Sequence, residues 1–170
     1  SYILKIFKGR KSSMNFKQLK KDINKQMFNR ALSAQYPPGS TFKIIINLIA
    51  LQEEVISNIT NYSCLGGYEY EEDKYISCHD HKSLLELQEA IAISCNTYFC
   101  KLFTDYFNKF PTTTSAYDRW QQHLKSFGIG EWMNNDFISG RKGFLPKSRY
   151  YDKYYRKDRW KSSTIISMAI

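Results

Sequence analysis

Two prolines and a glycine, in Tyr36-Pro37-Pro38-Gly39, stand just ahead of the longest apolar run of the chain, with only Ser40 to Lys43 between, and that junction constrains the fold more than any other feature. The prolines fix φ and withdraw backbone donors, and Gly39 can adopt conformations closed to other residues, so the chain breaks here. A helix is expected to begin near Ser40 and to run to about Glu54. Phe42, Ile45, Ile46, Leu48, Ile49 and Leu51 lie nearly all round it, which predicts a buried helix. The apolar run from Ile44 to Leu51 is interrupted by Asn47 and falls far short of the roughly 20 residues that cross a bilayer.

The rest of the chain reads as further helices joined by loops. Tyr2 to Phe7 is rich in β-formers and predicts one strand, and Asn15 to about Phe28 is weakly helical. Residues 56 to 82 hold Gly66, Gly67, acidic clusters and most of the Cys and His, the composition of an irregular loop. Ser83-Leu84-Leu85-Glu86 fits a capping box and places a helix from about Leu84 to Ile93. Two more helices are expected from Thr97 to about Phe107 and from about Tyr117 to Phe127. After Gly130 the chain reads as loop as far as Trp160, and the β-branched stretch Thr164 to Ile170 as a strand or buried extended segment.

The net charge of +9 is unevenly placed, with Lys and Arg in excess between Lys5 and Arg30 and again between Arg141 and Lys161. The second excess is interleaved with Tyr150, Tyr151, Tyr154 and Tyr155, a mixture that can hold nucleic acid through phosphate contacts and stacking. No nucleic-acid motif accompanies it, so no nucleic-acid partner is expected. A basic surface facing an anionic envelope, either lipid headgroups or cell-wall polymer, accounts for the charge. Four cysteines are too few to be the scaffold of a chain of 170 residues.

Ser40-Thr41-Phe42-Lys43 is the tetrapeptide that carries chemistry. On a helix, residues i and i+3 share a face, so Ser40 and Lys43 can meet. A serine hydroxyl becomes a useful nucleophile when a base takes its proton, and a lysine can be that base where burial depresses its pKa. The helix start also aims free backbone N–H groups at charge developing on a substrate. Ser94-Cys95-Asn96 lies between two expected helices, where a Ser-x-Asn turn would supply a relay hydroxyl and a substrate-orienting amide. Each motif alone is common as helix capping. Together, Ser-x-x-Lys followed by Ser-x-Asn is the set found in penicillin-binding proteins and serine β-lactamases.

The resemblance extends beyond the two motifs. Asn29-Arg30-Ala31-Leu32, Tyr36 to Lys43, Ser94-Cys95-Asn96-Thr97-Tyr98-Phe99, Phe127-Gly128-Ile129-Gly130, Gly143-Phe144-Leu145-Pro146 and Trp160 to Ile170 resemble, in order, the class B enzymes called penicillin-binding protein 2. The fold this implies is α+β, a partial transpeptidase domain of the penicillin-binding-protein and serine β-lactamase kind over residues 1–170, mostly its helical part and with few strands. The implied activity is that of a peptidoglycan D,D-transpeptidase serving cell elongation, with Ser40 as nucleophile, Lys43 as base, Ser94 as proton relay and Asn96 as substrate-orienting group. Implied partners are peptidoglycan stem peptides, β-lactam antibiotics that acylate the same serine, a glycan polymerase and elongation-scaffold proteins. The implied place is the periplasmic face of the bacterial inner membrane, held by an anchor outside this chain. Catalysis of this kind needs no cofactor. The third family motif, Lys-Thr/Ser-Gly, does not occur in the chain. The chain is therefore expected to be one segment of a longer protein and inactive alone. A β-lactam sensor, a serine β-lactamase and a non-catalytic module of the same fold share the first two motifs and stand as alternatives.

The cysteines admit two readings. Cys78-His79-Asp80-His81 gives a Cys-x-x-His pair at zinc spacing, with Cys64 upstream and Cys95 downstream, and a structural zinc held by Cys64, Cys78, His81 and Cys95 is expected. If Ser94 and Asn96 face a substrate from an extended turn, Cys95 must point the opposite way. His79 is the substitute ligand should His81 point away. The other reading is a Cys64–Cys78 disulfide, with Cys95 and Cys100 as small core residues.

Overall fold

The structure, a computed structural model, describes residues 7–132, 140–156 and 159–170. These fall into two compact units. The smaller unit comprises, of the described residues, 7–36, 132 and 140–142. It contains α1 (Ser12–Lys21) and the single turn α2 (Arg30–Ser33), capped by the Asn29 side chain, which accepts the Leu32 N–H. The Arg141 N–H donates to the Leu32 carbonyl at 2.9 Å, and the Gln35 amide donates to the Lys142 carbonyl at 2.8 Å. Helix α1 buries none of its residues, and it ends at Lys21, earlier than its polar sequence predicts. Of the expected strand Tyr2 to Phe7, Phe7 is in a turn and the rest lies outside the described residues.

The larger unit comprises residues 37–131 and 143–170. It opens with a 3₁₀ turn over Gly39–Phe42 that runs into α3 (Lys43–Gln52). Strands β1 (Asn61–Ser63), β2 (Gly67–Glu71), β3 (Lys74–Ser77) and β4 (Leu84–Glu86) follow, then α4 (Leu87–Ala92), α5 (Asn96–Asn108), α6 (Thr113–Ser126), α7 (Ser148–Tyr155) and a 3₁₀ segment, Ser162–Ala169. The order of helices and short strands is α+β, as the sequence leads one to expect.

Helix α5 is the centre of this unit. Tyr98, Phe99, Leu102, Phe103, Tyr106 and Phe107 recur in pairs every four residues, so their face is continuous, and all are buried. Trp120 of α6 meets that face, its ring 5.3 Å from those of both Phe103 and Tyr106. Ile46, Ile49 and Ala50 of α3, and Trp160, Ile165 and Ile166, close the core. Each such side chain contributes about 1.5–3 kcal/mol on leaving water. The apolar all-round α3 is buried on one face only: Ile44 and Leu48, one turn apart, are exposed.

Four expectations are corrected. The stretch read as an irregular loop holds two antiparallel ladders, β1 with β4 and β2 with β3. β2 and β3 form a hairpin turned at Asp73, whose φ is +60°, and Gly67 is needed because a Cβ there would run into the Tyr75 ring. Tyr68 Oη of β2 lies 2.9 Å from Thr104 Oγ1 of α5, and Tyr62 of β1 donates to Asp105 at 2.5 Å, so α5 supports both ladders. Leu84–Glu86 is a strand, and the capping box lies three residues later, formed by Glu86 and Glu89 at the start of α4. Pairing with β1 outcompetes the local cap at Ser83, because it buries Leu85. Ser148–Tyr155 is a helix within the stretch expected to be loop, and Ser162–Ala169 is 3₁₀ and not extended. The β-branched residues Thr164, Ile165 and Ile166 yield to packing against α5, a tertiary override of propensity.

Candidate active site

Gly39 has φ +58°, and the Pro37-Pro38-Gly39 corner delivers Ser40 exposed on the 3₁₀ turn. Thr41 Oγ1 donates to the Pro38 carbonyl at 2.7 Å and pins the corner. Ser40 lies on this turn, and Lys43 opens α3 three positions on.

Lys43 is 2 % exposed, the most buried cation of the chain's described residues. Its Nζ donates to the Ser94 carbonyl at 2.8 Å, to Ser94 Oγ at 3.0 Å and to Asn96 Oδ1 at 2.7 Å, and it lies 5.2 Å from the centre of the Phe99 ring. Burial pushes its pKa below the usual lysine value, against the negative potential of the thiols of Cys78, Cys95 and Cys100. Two of its three partners, the Ser94 carbonyl and Asn96 Oδ1, only accept. A neutral amine would give its two N–H groups to these and keep a lone pair for a hydroxyl. The site therefore satisfies Lys43 in either protonation state, which is what a proton acceptor needs.

The Ser94–Asn96 turn is held from several sides. Ser94 sits in the left-handed region at φ +56°, a conformation that costs a non-glycine residue about 1–3 kcal/mol and persists where surroundings impose it. The Cys95 N–H donates to the Ala90 carbonyl at 3.0 Å, ending α4. Cys95 then caps α5, its Sγ accepting the Tyr98 N–H at 3.3 Å. The Asn96 side chain spends its Nδ2 on the Ser77 carbonyl of β3 at 3.0 Å, which fixes Oδ1 toward Lys43. Ser77 was not marked by any sequence signal, and Phe99 only as the end of the stretch Ser94 to Phe99, with no role attached. Their roles arise from the β2–β3 hairpin packing beside the first turn of α5.

Behind the turn, Cys64 Sγ, Cys78 Sγ, Cys95 Sγ and one ring nitrogen of His81 lie within 4.8 Å of one another. Cys78 Sγ is 3.8 Å from Cys95 Sγ and 3.4 Å from His81 Nε2. A tetrahedral zinc with Zn–S bonds of about 2.3 Å has its sulfurs about 3.8 Å apart, so the spacing suits it. His81 Nδ1 donates to the Lys82 carbonyl at 2.7 Å, which turns Nε2 toward the cluster, where it can donate to Cys78 Sγ when protonated or ligate a metal when not. Burial alone would raise the Cys78 thiol, but hydrogen bonds from His81 and from the backbone N–H groups of Thr97 and Asn96 outweigh it and hold it at about 6. Donor type, spacing and the orientation of His81 by the Lys82 carbonyl fit a structural zinc. All four cysteines are free, and Cys100 is buried outside the cluster. His79 stands beside His81, ring centroids 5.3 Å apart.

A turn presenting an exposed serine, a buried lysine three positions on and a Ser-x-Asn corner wrapped around its amine make up the candidate site. The chain belongs to the penicillin-binding protein transpeptidase domain family, whose profile matches residues 6–168. It is 26% identical over 160 residues to the peptidoglycan D,D-transpeptidase MrdA of Acinetobacter baumannii, a match covering 92% of this chain and 22% of that protein. The chain thus spans about a fifth of the length of this curated relative. Among solved structures, PBP2 of Helicobacter pylori aligns with a TM-score of 0.80 at 24% identity, covering 98% of this chain and 30% of that one. The complex between PBP2 and MreC of H. pylori aligns with a TM-score of 0.74 at 23% identity, covering 92% and 28%. Among the described residues no helix is long and apolar enough to cross a membrane.

Proposed function

We propose that the complete protein containing this chain is a peptidoglycan D,D-transpeptidase that cross-links stem peptides during cell elongation through an acyl-enzyme on Ser40. The observation that carries this reading is the buried Lys43 amine held at the Ser94–Asn96 corner one turn from an exposed Ser40. Lys43 takes the Ser40 proton as Oγ bonds to the carbonyl carbon of the donor D-Ala-D-Ala bond. The C–N bond then breaks, and the proton passes by way of Ser94 Oγ, within reach of Lys43 Nζ, to the departing D-alanine amine. An amine of a neighbouring stem attacks the ester in the second half, reversing the proton path. Asn96 orients the substrate carbonyl with the second N–H of Nδ2, the first being given to Ser77, while its Oδ1 holds the lysine. β-Lactams acylate Ser40 by the first half alone.

A zinc held by Cys64, Cys78, His81 and Cys95 would have four protein ligands and no open position, so the chemistry it supplies is structural. These residues brace the corner: Cys95 is its middle residue, and the Asn96 N–H donates to Cys78 Sγ at 3.3 Å. The names of the relatives support a place on the periplasmic face of the inner membrane, and the neighbour solved with MreC supports an elongation-scaffold partner. A glycan polymerase partner and a membrane anchor outside the chain belong to the same reading. The test is fluorescent-penicillin labelling of the full-length protein with peptide mapping. Ser40 is the expected adduct, abolished in Ser40→Ala; an adduct on another serine refutes the assignment.

A further inference from the structure

The basic, tyrosine-rich stretch after Gly143 is not used by the chemistry at Ser40, and α7 sorts it into two faces. Tyr151 and Asp152 turn inward. The Tyr151 ring is 5.2 Å from Tyr117 and 5.1 Å from Trp160, and Asp152 accepts the Trp160 indole N–H at 2.8 Å. The helix is thereby anchored, and its one carboxylate is occupied with an internal partner. Arg149, Tyr150, Lys153 and Tyr154 form the outer face at i, i+1, i+4 and i+5, all of them exposed.

This face continues into Phe144 and Lys147. Phe144 is 71 % exposed, its ring 6.2 Å from Tyr150, which in turn lies 4.8 Å from Tyr154. Phe144 and Tyr150 line an open cleft of about 430 Å³ with Pro146, Lys147, Arg149 and Lys153 among others, and Tyr154 stands beside it against Tyr150. None of its lining residues is acidic, and Lys147, Arg149 and Lys153 enter no ion pair among the described residues. Exposed aromatic rings gathered beside unpaired cations mark a binding surface.

The chemistry selects the occupant. Cations without an ion-pair partner among the described residues call for an anion, and rings left open in a row call for flat C–H faces such as those of sugars. A helix that lies in a membrane segregates an apolar face from its charges. The outer face of α7 instead alternates charge and ring, while Tyr151 of the opposite face is packed in the core. A polymer of sugar rings bearing carboxylate-rich peptides matches both requirements.

We propose that this cleft is an accessory binding site for the peptidoglycan strand, with sugar rings against Phe144, Tyr150 and Tyr154 and stem-peptide carboxylates on Lys147, Arg149 and Lys153. The inference rests on the transpeptidase reading for the identity of the polymer. It assigns to the same domain a hold on the strand separate from the acylating serine.

The test uses the full-length protein, with Tyr150→Ala/Tyr154→Ala and Lys147→Gln/Arg149→Gln/Lys153→Gln variants. Binding is measured to purified un-cross-linked glycan strands carrying stem peptides, to the same strands stripped of peptide, and to vesicles containing phosphatidylglycerol. Penicillin labelling of each variant reports that the Ser40 site is intact. The aromatic variant is expected to bind both kinds of strand about tenfold more weakly. The charge variant should lose about tenfold on peptide-bearing strands and little on stripped ones. Labelling should be unchanged in both. Equal strand binding by wild type and both variants overturns the proposal, and so does a loss confined to vesicles. A wild-type protein that binds strands through the cleft yet fails to label with penicillin would refute the transpeptidase reading while upholding the site.

Discussion

Replacing Lys43 by Met in the full-length protein keeps the apolar stem and removes the amine, which separates its chemical role from its structural one. The Ser94 carbonyl and Asn96 Oδ1, now held by Nζ at 2.8 and 2.7 Å, lose that donor. Leaving a buried acceptor unpaired costs about 1–3 kcal/mol, so the pair amounts to roughly 2–6 kcal/mol. Against this, the buried amine no longer has to be desolvated, a relief of several kcal/mol where it was charged. The net loss of stability is expected to stay under about 3 kcal/mol, small enough for the domain to fold. Acylation by penicillin should fall about 10²–10⁴-fold, the range of a lost general base. The pH profile supplies a second readout. Because burial lowers the Lys43 pKa, the wild-type rate should climb with pH on a limb centred below 10.5, and the limb should vanish in the variant. The unfolded chain binds more protons than the folded one in that interval, so stability also rises with pH there, and that slope too is lost. Acylation within threefold of wild type in folded Lys43→Met would refute the role assigned to this amine.

Asn47, one turn beyond Lys43 and 3 % exposed, has neither amide atom in a hydrogen bond among the described residues. Asn47→Leu should therefore stabilise the protein by about 1–2 kcal/mol in chemical denaturation, and destabilisation would show that the amide has a partner. Purified protein should carry one zinc per chain by elemental analysis, and Cys95→Ser should lower both that ratio and the melting temperature. Zinc-free protein with a Cys64–Cys78 bridge would end that reading.

What could be read from residue order was local or periodic. Helices depend on neighbours within a few positions, and α5 forms close to where the sequence places it, while α6 starts four residues earlier than expected, at Thr113. The corner before Ser40 is legible for the same reason, since proline and glycine act on their own backbone. The β2–β3 hairpin escaped because Tyr68, Tyr70 and Ile76 are separated by exposed charges, and short strands gain their stability from pairing and from α5 beneath them. The Thr164–Ile166 stretch favours extension by propensity, yet takes a 3₁₀ path where α5 offers a surface to cover.

The site divides the same way. Motif spacing pointed to Ser40, Lys43, Ser94 and Asn96 as residue types, but the contacts of Lys43 with Ser94 and Asn96 cross 51 and 53 positions. The thiols of Cys64, Cys78 and Cys95 converge because two ladders and the first turn of α5 meet behind one corner. Short-range steric and hydrogen-bonding preferences are encoded residue by residue. Which distant groups share a buried volume is set by how the elements pack, and the depressed pKa of Lys43 exists only within that volume.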